Sequence, residues 1–168
     1  MTTFDELEFS EVEVSPTLAA QVPGQSAPDP ASISAAIGAA FDTLMGFLGQ
    51  HALTPTAPPR VIYTSYGPEG VSFTVALPVA AAPAAPASDT PVTVDTLSGA
   101  KAYRFTHLGP YKNLMGTYGR ITAFMKSKGW MESDADWARY MPMWEEYLND
   151  PDKTPEADLL TYIYLPVA

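Results

Sequence analysis

The chain has 168 residues, 46% of them hydrophobic and 17% charged, with 17 prolines and a formal charge of −10 from 9 basic and 19 acidic side chains. That is enough apolar surface for one packed domain and excludes a disordered chain. The absence of cysteine excludes disulfides, thiolate nucleophiles and cysteine metal sites, and the acidic balance, with Arg60 the single base of residues 1–90, leaves no Lys/Arg stripe for direct nucleic-acid binding.

The start, Asp5-Glu6-x-Glu8-x-x-Glu11-x-Glu13, reads as a solvated acidic tail running into an edge strand. It lacks the basic and apolar regions of a signal peptide, and no apolar run approaches the 18 or so residues of a membrane span, so a cytoplasmic protein without membrane contact is expected. Glu8 to Ala20 alternates apolar and acidic residues as one strand. Pro23-Gly24 and Asp29-Pro30 then open a helix, with Asp29 as N-cap and Pro30 in the first position. Its apolar face is Ile33, Ile37, Ala40, Phe41, Leu44, Phe47 and Leu48, and Thr54–Pro59 stops it. Arg60–Ser65 and Val71–Leu77 form a hairpin around Tyr66–Gly70. Residues 78–91 are a Pro/Ala stretch that favours an extended spacer.

Beyond the spacer the same order recurs. Val92–Thr106 is extended, and Leu108-Gly109-Pro110-Tyr111 turns into a helix with Leu114, Tyr118, Ile121, Phe124 and Met125 inward and Gly129 as its C-cap. Met143–Leu148 and Leu159–Val167 close the unit as strands. The ends of the halves, Leu77-Pro78-Val79-Ala80 and Leu165-Pro166-Val167-Ala168, are identical at an offset of 88. Phe41, Leu44, Phe47 and Leu48 match Tyr118, Ile121, Phe124 and Met125 at 77, Ala19–Val22 lies against Ala102–Phe105 at 83, and Tyr63 falls opposite Tyr147 at 84. The ordered series argues for an internal duplication. The expected fold is α+β: two βαββ repeats, residues 8–80 and 92–168, joined by a linker at 81–91, with antiparallel sheet, one helix per repeat and a pocket between the repeats.

The second half resembles the GyrI-like small-molecule-binding domain, the effector-binding domain of AraC- and MerR-type regulators. The resemblance rests on His107-Leu108-Gly109-Pro110-Tyr111-Lys112-Asn113-Leu114, then Gly129-Trp130, Glu145-Glu146-Tyr147-Leu148-Asn149-Asp150-Pro151 and Thr161-Tyr162-Ile163-Tyr164-Leu165-Pro166-Val167, in the family's order over residues 97–168. The first half looks like the family's weaker first repeat. The chain departs from the pattern in having no helix-turn-helix, in its Pro/Ala linker and in an insertion, Glu132–Met141. The resemblance implies a duplicated βαββ fold whose pocket is lined by the glutamate matching Glu145.

Read from its strand alone, Glu145 shares a face with Tyr147, while Trp144, Glu146 and Leu148 share the other; either glutamate would be the inward one. Offset 84 places Val61 opposite Glu145, so the fold accepts an apolar residue there and the carboxylate suggests an added function. Among aromatics its ionised form would be poorly solvated, raising its pKa and making it a general base or a counter-ion for a cation. Tyr63, Tyr147, Tyr103, Tyr111, Trp144, Trp137 and Tyr140 are the candidate ligand-binding aromatics, with Trp137 and Tyr140 of the insertion as a lid and Phe105, Tyr118 and Tyr162 read as core. His51 and His107, far apart and without cysteine, make no metal site, and no cofactor motif is present. The leading expectation is binding of an aromatic or amphipathic small molecule, cations included, for effector sensing or sequestration, with a separate regulator as possible partner. The alternatives are a hydrolase of strained electrophiles, with Glu145 as general base and Tyr147 or Tyr63 polarising the leaving group, and a gyrase-inhibitor-like protein-binding module.

Overall fold

The computed structural model describes residues 8–83 and 90–167. The acidic residues 1–7, the middle of the Pro/Ala spacer at 84–89 and Ala168 lie outside them. In chain order the elements are β1 (Phe9–Val14), β2 (Thr17–Ser26), α1 (Pro30–Gln50), β3 (Arg60–Gly67), β4 (Gly70–Pro78), β5 (Thr93–Leu97), β6 (Ala100–Leu108), α2 (Leu114–Ser127), β7 (Met143–Tyr147) and β8 (Leu160–Pro166). The fold is α+β, and each half reads strand, strand, helix, strand, strand.

The extra strand in each half arises because the long extended runs break. Glu8–Ala20 divides at Ser15-Pro16 into β1 and β2, and Val92–Thr106 divides at Ser98-Gly99 into β5 and β6. Pro23-Gly24, expected to turn toward the helix, instead lies inside β2, opposite Thr74 and Phe73 of β4. β5 pairs with β2 only as far as Gln21, so at Pro23 the strand has an open side and the missing N–H breaks no ladder bond there. Gly24 leaves room for the Phe73 ring, 2.5 Å from where a Cβ would stand.

Val14–Ala100 forms one compact unit, and the described residues on either side form the other. In the first the strand order is β3-β4-β2-β5, with antiparallel pairing throughout, and α1 lies on β2 and β4, burying Leu44, Phe47 and Leu48. Asp29 caps this helix by accepting the Ser32 N–H at 2.9 Å, and hydrogen bonding from the Ser32 side chain, followed by that from its N–H, holds the carboxyl below the usual carboxylate range. With Asp42 its one charged residue, α1 is long and apolar enough by length and composition to cross a membrane, more apolar than its interrupted hydrophobic runs suggested, because Ala and Gly fill the positions between them.

In the second unit the order is β1-β6-β8-β7. The duplicated halves therefore exchange their opening strands: β5 of the second half lies on β2, and β1 of the first lies on β6. Phe9 of β1 anchors the latter, with its ring 4.8–6.0 Å from those of Tyr103, Phe105, Phe124 and Trp130. α2 covers one face of β6-β8-β7. It ends as expected at Gly129, φ +75°, where Gly129 N–H bonds Lys126 O at 3.1 Å and Trp130 N–H bonds Met125 O at 3.0 Å, a Schellman motif.

Candidate functional site

β7 is a five-residue strand, Met-Trp-Glu-Glu-Tyr, and alternation puts Glu145 and Tyr147 on the face that α2 covers. The register places Glu145 beside Ile163 of β8, which itself faces Phe105 of β6. Val61 stands beside Val75 in the matching place of the first unit. Glu145 is 3% exposed, in a row whose other members, Phe105 and Ile163, are wholly apolar.

An ionised carboxylate so placed is expensive unless its oxygens are bonded. Here both are. Tyr147 donates its phenol hydrogen to Oε1 at 2.6 Å, and Tyr118, from α2, donates to Oε2 in a very short bond. Charge-assisted bonds of this kind are the strong ones, and donation to the charged form favours it, opposing the effect of burial.

Further aromatics extend this pair. The Tyr111 ring, in the turn before α2, lies 5.4 Å from that of Tyr147, and burial followed by the charges of Asp150 and Glu145 pushes its hydroxyl above the usual phenol range. On the other side the Trp137 ring is 5.7 Å from Tyr118. Trp137 is fixed by its Nε1, which donates to Thr122 Oγ1 of α2 at 3.0 Å. Its segment, the 3-10 turn Asp134–Tyr140, carries its own capping box between Ser133 and Asp136, and the backbone N–H groups of Glu132 and Ser133 hold the Asp136 carboxyl below its ordinary value. Lys126 of α2 meets Asp134 at 3.3 Å.

The structure thus brings Glu145, Tyr147, Tyr111 and Trp137 together around Tyr118, which had read as core. Trp144 lies on the opposite face of β7, its ring stacked on Tyr164 at 4.9 Å, with Glu146 accepting the Tyr164 hydroxyl at 2.9 Å. Tyr103 stacks on Trp130 at 4.4 Å, and Tyr140 bonds the Trp130 carbonyl at 3.0 Å; both belong to the aromatic cluster around Phe9. Tyr63 is buried in β3 opposite Phe73, in the other unit. His107 is buried and doubly bonded, Nδ1 to Thr117 Oγ1 at 2.6 Å and Nε2 to the Pro110 carbonyl at 3.1 Å. Among the described residues no group of three metal-binding side chains occurs.

Tyr118 was legible in principle. Its counterpart at offset 77 is Phe41, so a hydroxyl has been added in the second half, the same sign that singled out Glu145 against Val61.

The profile of the GyrI-like small molecule binding domain matches residues 7–168. No curated protein sequence matches the chain. Among solved structures, the EcmrR C-terminal domain superposes with a TM-score of 0.69 at 17% identity, over 96% of this chain and 98% of that one. SAV2435 bound to tetraphenylphosphonium gives 0.63 at 14%, over 96% and 94%. A hydrolase from Listeria innocua gives 0.62 at 17%, over 96% and 92%. EcmrR in its complex with DNA gives 0.67 at 16%, and there the match spans 57% of the longer chain. At such identities these likenesses carry the fold, while the profile covers nearly the whole sequence, so this chain belongs to the GyrI-like family of small-molecule-binding domains.

Proposed function

We propose that the domain binds a small aromatic or amphipathic cation at Glu145, as an effector-sensing or sequestering module. The observation that carries this reading is a buried carboxyl group whose two oxygens each accept a phenol hydrogen bond, with aromatic rings on both flanks. A fixed negative charge in a poorly hydrated setting attracts a cation far more strongly than the same charge in water, and tyrosine and tryptophan faces add cation–π attraction. The likeness to SAV2435, a protein that holds tetraphenylphosphonium, supports the same class of ligand. Calorimetric titration with tetraphenylphosphonium tests it. Wild type should bind, and Glu145→Gln, which keeps the shape and removes the charge, should bind at least about tenfold more weakly, the worth of a desolvated cation–carboxylate contact. Equal affinity for both proteins, or no binding by either, would sink the reading.

A second reading is favoured by the Tyr147–Glu145 contact, an acid and a base within proton-transfer distance, and by the fold shared with a Listeria innocua hydrolase. In it Glu145 takes a proton from water that opens a strained electrophile, and a tyrosine hydroxyl protonates the leaving carbon or heteroatom. The two phenol bonds weigh against it, because both carboxylate oxygens are already engaged as acceptors. Consumption of a strained electrophilic probe by wild type and not by Glu145→Gln would reverse that judgement.

A further inference from the structure

Two cross-strand rows cross the α2-covered face side by side. One is Phe105–Ile163–Glu145; the next is His107–Thr161–Tyr147, in which each member carries a polar group. The outer two are engaged: both His107 nitrogens are bonded, and Tyr147 donates to Glu145. Thr161, between them, is 0% exposed, yet its Oγ1 has no hydrogen-bond partner among the described residues.

The fold does not require a hydroxyl here. In the first unit the corresponding row is Gly24–Phe73–Tyr63, with Phe73 where the second has Thr161. A buried hydroxyl without a partner destabilises the empty protein, so an apolar residue would serve the core better. Diagonal neighbours on one sheet face are about 7–8 Å apart, which is the relation of Thr161 to Glu145 across β8 and β7. One small cation set between the two side chains would span that separation.

We propose that the Thr161 hydroxyl is a ligand contact of the Glu145 site, and that the ligand it selects is an ammonium bearing an N–H group. This rests on the reading of Glu145 as a cation site. Each carboxylate oxygen already accepts one phenol hydrogen, whereas Thr161 Oγ1 has no partner among the described residues, so the hydroxyl is the less committed acceptor for an N–H donor. A quaternary ammonium has no N–H and leaves the hydroxyl unmatched.

The test compares N,N-dimethylbenzylammonium with benzyltrimethylammonium at neutral pH, where both are cations with the same ring and differ by one methyl on nitrogen. Calorimetry on the full chain should show wild type binding the N–H ligand about tenfold more tightly, as one added hydrogen bond predicts. Thr161→Val should weaken the N–H ligand to the level of the quaternary one and leave the latter unchanged, while Thr161→Ser should keep the preference. Equal affinities in wild type, which needs no variant to fold, or a preference that survives in Thr161→Val, would overturn the inference while leaving cation binding at Glu145 in place. If neither ligand binds wild type, the cation reading falls as well.

Discussion

Glu145 depends on two phenols for its tolerated burial, and each is a separate handle on the site. Tyr118→Phe and Tyr147→Phe each delete one hydrogen bond to a buried charge, and each should lower unfolding free energy by about 1.5–3 kcal/mol in urea titrations. Tyr66→Phe at a 56% exposed position should change it by less than about 0.5 kcal/mol. Tyr103, Tyr111 and Tyr164 have hydroxyls pushed above the ordinary phenol value, chiefly by burial. Because their folded values lie above the unfolded value of about 10, their contribution to stability is complete below that pH and is lost as pH rises through the folded values. Absorbance titration of phenolate should find these three ionising late, with native stability declining above about pH 10.

The helix ends show the same backbone device built from different residues. α2 closes its Schellman motif with Gly129, and nothing lies within 4 Å of a Cβ added there. α1 closes the matching motif with Ala52 at φ +52°, where Ala52 N–H reaches Gly49 O at 3.4 Å and Leu53 N–H reaches Leu48 O at 2.9 Å. A left-handed conformation disfavours any residue with a Cβ by about 1–2 kcal/mol. Ala52→Gly should therefore stabilise the protein by about 1 kcal/mol, and Gly129→Ala should destabilise it by about the same, both read from denaturant midpoints at constant slope. Gly70→Ala should be worse than either, since its φ of +144° is joined by a contact of 2.9 Å between the new Cβ and the Ser26 carbonyl.

At the scale of the molecule the exchange of β1 and β5 makes each half of the chain incomplete by itself. A fragment of residues 90–167 lacks β1 and the Phe9 ring that its aromatic cluster surrounds, and a fragment of residues 8–83 lacks β5 beside β2. Separately expressed, each should give poorly dispersed amide spectra; mixed, they should recover the dispersion of the intact chain. Two independently folded fragments would contradict this. The duplication, the helices, their Asp29 and Gly129 caps and the hairpin strands were all legible in the sequence, because periodicity, capping chemistry and repeat offsets are local signals that survive without neighbours. The division of the long extended runs, the place of Pro23-Gly24 inside β2 and the exchange of opening strands were not, since each depends on which partner a strand finds. The site divides the same way. The sequence by itself determined that the second half gained a carboxylate where the first keeps Val61, and a hydroxyl where it keeps Phe41. Only the tertiary structure decided that Tyr118 and Tyr147 both bind that carboxylate, that Trp144, Tyr103 and Tyr140 belong elsewhere and that Thr161 is left unmatched. Hydrogen-bond partners far apart in sequence become neighbours only through strand register and the packing of α2, and no residue carries that information alone.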